Sequence, residues 1–408
     1  QRVRVSLPYF VAAGWDVTVL TVADPTPVAP VDPELLGTIP RGVRVIRACC
    51  ASRTWTRWLG VNNVALRALP ALFWHGCRLL AGRRHDVVYF STTMFIVLAF
   101  GRIWRALYRV PCVVDLQDPW VTDFYERPGA PTPPGGWKYR VARRLGLLLE
   151  GWAMRGASHL ITVSAAYGDM LRVRYPDLSA LPVTELPFAA PEPDLRHLRE
   201  TSGQRPAILP RGGFRLAFAG AIGPGMLGTI EVLFAAMSAW REEGAEVSAH
   251  FYGTSYAPSG HNPPVTLALA AQHGLADCVH EQPARLPYLS ALQVSLEADA
   301  NLILGSTDLA FTPSKILAIR AADRPILALA HAGSALAARL TRLEIPFIAL
   351  SSSAADRSAA IQAALACLRQ MRRSPVSKTL SPLPAEFSAA RLADAQMEVL
   401  ASVSTART

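Results

Sequence analysis

The sequence predicts an α/β protein of two tandem Rossmann-like domains with a ligand cleft between them. Three observations predict it. The chain has 408 residues, which is too long for one ordinary core. Short, continuously apolar runs of strand length alternate with helical stretches, and a proline-rich segment separates two such series. Strands of a parallel sheet are covered by helices on both faces and therefore give continuous apolar runs.

The first series begins with a helix-like segment up to Ala13, which Gly14 closes, followed by a strand at 15–22. Because Rossmann-like domains start on a strand, we expect a first strand to be missing here. Further strands are expected at 43–48, 86–91, 112–116 and 159–164, and helices near 64–80, before 108, at 137–157 and at 165–175.

Six prolines between Pro182 and Gly213 indicate a linker. The second series then has strands at 214–220, 247–253, 278–283, 300–305 and 325–330, with helices at 229–244, 265–274, 286–298 and 314–322. We therefore predict a first domain at 1–200, a linker at 201–212, a second domain at 213–380 and a C-terminal helix and tail at 381–408. That helix can pack back on the first domain.

Composition bounds the class of protein. A hydrophobic content of 51% with 18% charged residues is typical of a globular chain and excludes a disordered one. The 41 basic and 31 acidic side chains give a formal charge of +10, which favours an anionic partner. The arginines are spread over both series without a recognition motif, so nucleic acid is not expected. Only Lys138, Lys315 and Lys378 are lysines, so a lysine is informative wherever it stands.

The six cysteines form no CxxC pair and no zinc-like spacing with histidine, which favours buried thiols in a reducing cytoplasm and no metal. No apolar stretch approaches the roughly 20 residues of a spanning helix, and no signal peptide opens the chain. We expect no membrane crossing.

The loop GAIGPGMLG, residues 220–228, lies between a strand and a helix. Backbone amides and a helix N-terminus at such a place can bind phosphate, for which Gly220, Ile222 and Gly223 are the candidates. It is neither a clean GxGxxG nor a P-loop, and an isolated match of this kind is more often only a tight turn.

The segment TPSKILAIRAADRPILALA places Ser314 and Lys315 at the start of a predicted helix. An ammonium group at the positive end of a helix is unfavourable unless an anion shares the site, so both residues are candidates for phosphate binding. The alternative is a solvated surface charge.

In VVDLQDPW, Asp115 and Asp118 stand at the carboxyl end of a strand, the edge where open α/β sheets bind ligands. Asp115 is closer to the strand and suited to internal pairing. Asp118 lies past the edge and is the candidate catalytic carboxylate, able to accept a proton or hydrogen bonds from a substrate hydroxyl. A loop aspartate before a proline is also a common turn former.

The predicted helix from Trp137 to Arg155 has basic residues, including Arg140, Arg143 and Arg144, beside an apolar stripe. This pattern is typical of an interfacial helix on an anionic membrane surface, and equally of a domain helix with a solvated basic face.

In order, the segments AAGWDVTVLTV, DVVYFSTT, VVDLQDPW, GASHLITVSAAYGDML, FRLAFAGAIG, HFYG and TPSKILAIRAADRPIL resemble a known family. It is the retaining glycosyltransferase family of GT-B fold, family-4 or group-1 type, that builds bacterial surface polysaccharides. The resemblance implies transfer of a sugar from a nucleoside-diphosphate donor, bound mainly by the second domain, to an acceptor on the first. It also implies that Lys315 contacts the donor diphosphate, that Gly220 to Gly223 form the phosphate-facing turn, and that Arg285 stands near the base.

The sequence departs from the family at several positions. Gln117 replaces the basic partner usual beside Asp118, and Ala221 replaces a basic residue after the first strand of the second domain. Two glutamates usual near the lysine correspond to Ala310 and Ala318, while Asp308 is two residues out of frame.

The leading hypothesis is a metal-independent glycosyltransferase with no cofactor beyond its nucleotide-sugar substrate and a saccharide or lipid-linked acceptor. It would be cytoplasmic, with an anionic membrane surface as a further partner. The alternatives are a sugar-nucleotide epimerase of the same fold and a non-catalytic nucleotide-sugar binding protein, which the two alanines favour. The nine histidines do not cluster as an epimerase would require.

Overall fold

The computed structural model describes residues 2–23, 33–52, 56, 63–121, 124–126, 136–255, 263–309, 311–351, 354–374 and 382–405. They form two compact units. The first consists of Gln1–Pro27, Ile39–Ala189 and Ala389–Thr408, and the second of Val28–Thr38 and Ala190–Ser388. The C-terminal helix thus belongs to the first unit, and residues 201–212 belong to the second.

The strands of the first unit are all parallel. They are β1 (Thr18–Ala23), β2 (Arg44–Cys49), β3 (Val88–Ser91), β4 (Cys112–Leu116), β5 (His159–Thr162) and β6 (Val183–Glu185). β1 pairs with β2, and the other four form a sheet in the order β3-β4-β5-β6. The helices are α1 (Arg2–Ala12), α3 (Val64–Ala81), α4 (Ala99–Tyr108), α5 (Trp137–Met154), α6 (Ala165–Arg174) and the C-terminal α14 (Ala389–Thr405); α2 (Glu34–Gly37) lies in the second unit.

Two apolar layers cover the four-stranded sheet. On one face, buried side chains of α3, α4 and α5 pack with Cys112, Val114, Leu116 and Leu160. On the other, α1 and α14 pack on Val113 and Ile161. Successive side chains of β4 enter opposite layers, and both faces of the strand are covered, which explains why four of its five residues are apolar.

The one acid of β4, Asp115, is fully buried, and its polar neighbours gather around one carboxylate oxygen, Oδ2. The guanidinium Nε of Arg2 lies 2.9 Å from Oδ2 of Asp115. The hydroxyl groups of Tyr89 and Ser91 each donate to the same oxygen at 2.8 Å. The guanidinium of Arg2 also donates to the carbonyl groups of Leu186 and Pro187. The network therefore ties α1 to three segments around the sheet, which agrees with the internal role expected for Asp115.

The second unit contains β7 (Phe214–Ala219), β8 (Val247–Tyr252), β9 (Val279–Gln282), β10 (Ala300–Leu304), β11 (Ile326–His331) and β12 (Ile348–Leu350). They form one parallel sheet in the order β12-β11-β10-β7-β8-β9. The helices are α7 (Glu192–Glu200), α8 (Leu227–Glu242), α9 (Leu267–Gln272), α10 (Tyr288–Glu297), α11 (Ile316–Ala321), α12 (Ala335–Arg342) and α13 (Ala354–Arg373). α8 and α13 cover one face and α10 covers the other.

The prediction of an α/β protein with parallel sheets in two Rossmann-like domains is confirmed. The segment at 182–213 is more structured than the prolines indicated, since it contains β6 and α7. Its prolines lie outside β6, and Pro191 and Pro193 flank the start of α7, where a missing amide costs little. α12, β12 and α13 were not predicted.

A buried histidine lies on β8. The rings of His250 and His280 stack with their centroids 4.9 Å apart, and Oγ of Ser248 lies 3.0 Å from Nε2 of His250. Burial, together with the positive charges of His280 and Arg215, lowers the pKa of His250 to about 4. His250 is therefore neutral in the folded protein at physiological pH.

This burial predicts a loss of stability in mild acid. As the pH falls below about 6.5, the unfolded chain takes up a proton on His250 that the folded protein binds only near pH 4. The free energy of unfolding should fall by up to about 3 kcal/mol across this window. Hydrogen exchange of the β8 amides between pH 7 and pH 4 measures the effect. The same loss in a His250→Gln variant would contradict the assignment.

Candidate functional site

The order in which the chain adds strands to the second sheet reverses between β7 and β10. From β7 the chain proceeds to β8 and β9 on one side, and from β10 to β11 and β12 on the other. The loops that follow β7 and β10 therefore leave the carboxyl edge in opposite directions. Open α/β sheets bind ligands in the crevice that such a switch point creates.

Lys315 lies at this crevice. It follows the loop after β10, directly before α11, and its ammonium group donates to the carbonyl oxygen of Ala219, the last residue of β7, at 2.5 Å. Gly220 lies beside the ammonium group, since a Cβ on Gly220 would stand 3.8 Å from Nζ of Lys315. A cation thus bridges the two strands of the switch point.

The electrostatics at Lys315 favour an anion. Although the residue is exposed, nearby protein atoms partly desolvate the ammonium group, which lowers its pKa, and the positive charge of Arg285 lowers it further. An anion bound here would offset both effects and raise the pKa of the lysine again.

The glycine loop after β7 is less open to phosphate than the sequence predicts. The amide of Gly220 donates to the carbonyl oxygen of Tyr252, and that of Ile222 to Thr254, both at 2.9 Å. The side chain of Ile222 packs against the core. Both amides are therefore occupied. The amide of Gly223 donates no hydrogen bond to another described residue, so it is the candidate that stays open to a ligand.

A neighbouring polar loop, which contains Ser306 and Thr307, was not predicted from the sequence. The amide of Thr307, after β10, donates to the carbonyl oxygen of Gly225 at 2.9 Å. A Cβ on Gly225 would meet the hydroxyl groups of Ser306 and Thr307 at 2.5 and 2.8 Å, so a larger residue there would displace both hydroxyl groups. The sequence placed these hydroxyl groups after a strand, but nothing in it indicated that β10 adjoins β7.

Arg285 and Ser314 are both exposed and lie on the loops that frame Lys315. Arg285 follows β9, and its Cα lies 3.5 Å from where a Cβ of Gly253 would stand. Its guanidinium is near enough to Lys315 to affect the pKa of the lysine. The structure therefore brings Gly220, Arg285, Ser314 and Lys315 to one carboxyl edge.

Ala318 packs among apolar side chains of α7 and α10, including Leu195 and Leu289. A glutamate at this position would need to leave that cluster. Ala310 lies outside the described residues. Asp308 is exposed, and its amide donates to the hydroxyl group of Ser306.

Asp118 lies in the first unit, two residues beyond β4, and is exposed. Burial raises the pKa of Tyr167, and the negative charge of Asp118 raises it further. Tyr167 is in the first turn of α6, so Asp118 and α6 lie together where β4 and β5 end. A carboxylate at this edge can accept a hydrogen bond or proton from a hydroxyl group.

Gln117, the neighbour of Asp118, is turned inward. Its amide donates to Oγ of Ser91 at 2.8 Å, and Ser91 donates in turn to Asp115. Gln117 therefore extends the buried network around Arg2. This linkage supports the turn that presents Asp118.

A groove of about 640 Å³ opens at the other edge of the same sheet. Pro111 and His159, at the starts of β4 and β5, line it together with Arg105 and Arg109. Parallel sheets bind ligands at the carboxyl edge, and this groove lies at the amino edge. In the first unit we therefore take the edge that carries Asp118, and not the groove, as the candidate site. Among the described residues, no group of three His, Cys, Asp or Glu side chains is arranged to hold a metal ion.

Residues 2–189 match the family described as the glycosyl transferase 4-like domain. The matched range ends where the first unit passes into the second. No curated protein sequence matches the chain.

Solved structures are similar over almost the whole chain. Sucrose-phosphate synthase from Thermosynechococcus elongatus aligns with a TM-score of 0.55 and 15% identity, covering 99% of this chain and 93% of that one. HepE from Anabaena, solved with UDP and glucose, aligns at 0.55 and 16%, covering 98% and 94%. A UDP-forming trehalose-phosphate synthase from Burkholderia vietnamiensis aligns at 0.52 and 12%, covering 98% and 95%. At these identities the likeness shows the fold, which is of the GT-B type.

Proposed function

We propose that the protein is a glycosyltransferase that moves a sugar from a nucleoside-diphosphate donor to a saccharide or lipid-linked acceptor. The observation that carries the proposal is Lys315, a partly desolvated cation at the switch point of the second sheet. The match of residues 2–189 to a glycosyl transferase 4-like domain supports it, as does the UDP bound by a protein of the same fold.

In this proposal the second unit binds the donor. The ammonium group of Lys315 neutralises charge that develops on the departing diphosphate, and the amide of Gly223 and the hydroxyl group of Ser314 add donors. Preorganised donors of this kind stabilise a transition state without reorganising. Arg285 stands at the outer side of the same edge. No metal is required, because the lysine supplies the positive charge.

The first unit holds the acceptor, with Asp118 as the group that orients or deprotonates the attacking hydroxyl. Retention of configuration and a role in surface polysaccharide synthesis follow from the family resemblance and belong to the proposal. A cytoplasmic location at the membrane also belongs to the proposal. The cysteines of the described residues are free thiols, as is usual for proteins of a reducing compartment.

Two other functions fit the same fold. Ala310 and Ala318, which stand where the family has two donor-contacting glutamates, favour a non-catalytic nucleotide-sugar binding protein, and Ala318 packs in an apolar cluster. An epimerase would act on the same donor without an acceptor. Incubation with a panel of UDP-, GDP-, ADP- and dTDP-sugars separates the three by diphosphate release with transfer, epimer formation, or binding alone. Binding without turnover for every sugar and acceptor would exclude transfer.

Lys315→Ala should weaken UDP binding by roughly tenfold to a hundredfold, because a charge-assisted contact to phosphate contributes about 1.5 to 3 kcal/mol. In the wild type, affinity should also fall as the pH rises through the lowered pKa of Lys315, and the variant should lose this dependence. Isothermal titration calorimetry at several pH values measures both. Arg211→Ala, at an exposed arginine of the same unit, is the control. An unchanged affinity in Lys315→Ala would refute the phosphate role.

A further inference from the structure

α3, α4 and α5 cover one face of the first unit's sheet, and each leaves large apolar side chains on its exposed side. On α5 these are Trp137, Val141, Leu145, Leu148 and Trp152, spaced by three or four residues. They form a continuous stripe along the helix, and Leu148 is 71% exposed. Leu66 and Trp74 on α3 and Leu107 on α4 are also exposed.

Packing makes these helices one surface. Side chains of all three enter the same buried cluster on the sheet. Gly76 of α3 lies against Trp104 of α4, where a Cβ would come within 2.1 Å of the ring. The guanidinium of Arg102, also on α4, lies over the ring of Trp152 at 5.0 Å. The exposed residues therefore lie on adjoining helices of a single layer, which we call the three-helix face.

The exposed charged residues carried by α3, α4 and α5 are all of one sign. Arg78, Arg105, Arg140 and Arg144 are exposed. α3 and α4 contain no acidic residue, and the one acid of α5, Glu150, is fully buried and pairs with Arg174 at 2.6 Å. Exposed tryptophan and leucine among exposed arginines are complementary to an anionic lipid surface, where apolar side chains enter the interface and guanidinium groups meet phosphates.

We propose that the three-helix face docks the protein on an anionic lipid bilayer as a peripheral protein. The stripe on α5 would enter the headgroup boundary, and Arg140 and Arg144 would contact lipid phosphates. Within the part of the chain that the structure describes, no helix is both long enough and apolar enough to span a bilayer, so the contact is interfacial. Arg143 is assigned no lipid role, because it pairs with Glu126 at 3.3 Å.

Cosedimentation with vesicles tests the proposal. The full chain should bind vesicles of phosphatidylcholine with phosphatidylglycerol, and bind pure phosphatidylcholine far more weakly. Arg140→Gln with Arg144→Gln should weaken binding by roughly 25-fold, since each basic residue near such a surface contributes about fivefold. This loss should shrink at high salt. Leu145→Ser with Leu148→Ser should weaken binding about tenfold or more at every salt concentration.

Matched pairs on the second unit serve as controls. Arg211→Gln with Arg373→Gln removes as many positive charges as the arginine test variant does. Leu36→Ser with Leu267→Ser replaces two exposed leucines, as the leucine test variant does. Both controls should bind vesicles like the wild type. UDP affinity should be unchanged in every variant, which separates this proposal from that of sugar transfer.

Equal vesicle binding by the wild type and the two test variants would overturn the proposal, and so would equal binding to neutral and anionic vesicles. Light scattering in the absence of vesicles tests whether a second copy of the chain, and not a lipid surface, covers the apolar stripe. A doubled mass that Leu145→Ser with Leu148→Ser abolishes would assign the stripe to a second copy of the chain and would also overturn the proposal.

Discussion

Asp118→Asn should lower the rate of sugar transfer by about a hundredfold to ten-thousandfold, the range of a general base, while UDP affinity stays the same. The carboxylate is exposed at the carboxyl edge of the first sheet, beside the start of α6. Asparagine keeps the size and the hydrogen-bond acceptor but cannot take a proton. The loss should therefore appear in turnover and not in donor binding.

Transfer rate and UDP affinity should be measured on the same preparation, with circular dichroism to verify folding. Asp169→Asn, an exposed aspartate on α6 that pairs with Arg172, is the matched control and should keep full activity. In a retaining reaction the leaving phosphate can itself accept the proton from the acceptor. A loss of only about tenfold would therefore identify Asp118 as a positioning residue. Wild-type transfer by a folded Asn variant would reduce it to a turn residue.

Arg2→Met should destabilise the first unit by about 3 to 5 kcal/mol, because it leaves the carboxylate of Asp115 buried without its cation. Asp115 is fully inaccessible, and Arg2 is almost so. Tyr89 and Ser91 still donate to the carboxylate, but two neutral donors do not offset a buried charge. Burial and the charge of Asp115 raise the pKa of Tyr89, so the phenol stays protonated as a donor.

A double-mutant cycle isolates the ion pair. Arg2→Met with Asp115→Asn leaves no charge in the site and should be less destabilising than the sum of the two single variants. Since the chain has two units, hydrogen exchange of the β4 amides is preferable to a global unfolding curve. Additive losses would show that Arg2 acts through its contacts with the carbonyl groups of Leu186 and Pro187, and not through Asp115.

Local pattern was enough to predict much of the fold. Runs such as 112–116 and 300–305 have both faces covered, so they are mainly apolar, with Asp115 and Asn301 as polar exceptions, and the strands were recognisable from this pattern alone. The same reasoning failed at β12, which has three residues, and at α7, where prolines at the start of a helix resembled a linker. Short elements take their conformation from tertiary packing more than from their own pattern.

The sequence by itself determined the two α/β series, the parallel sheets and the candidates Lys315 and Asp118, because each of these depends on residues close together along the chain. Only the tertiary structure decided the strand order that brings Lys315 of the β10 loop to Ala219 at the end of β7. It likewise decided that the amides of Gly220 and Ile222 are occupied, that Arg2 pairs with Asp115, and that three separate helices share one basic, apolar surface. The physical reason is that such contacts join residues distant in sequence, and no local pattern specifies which strands and helices become neighbours.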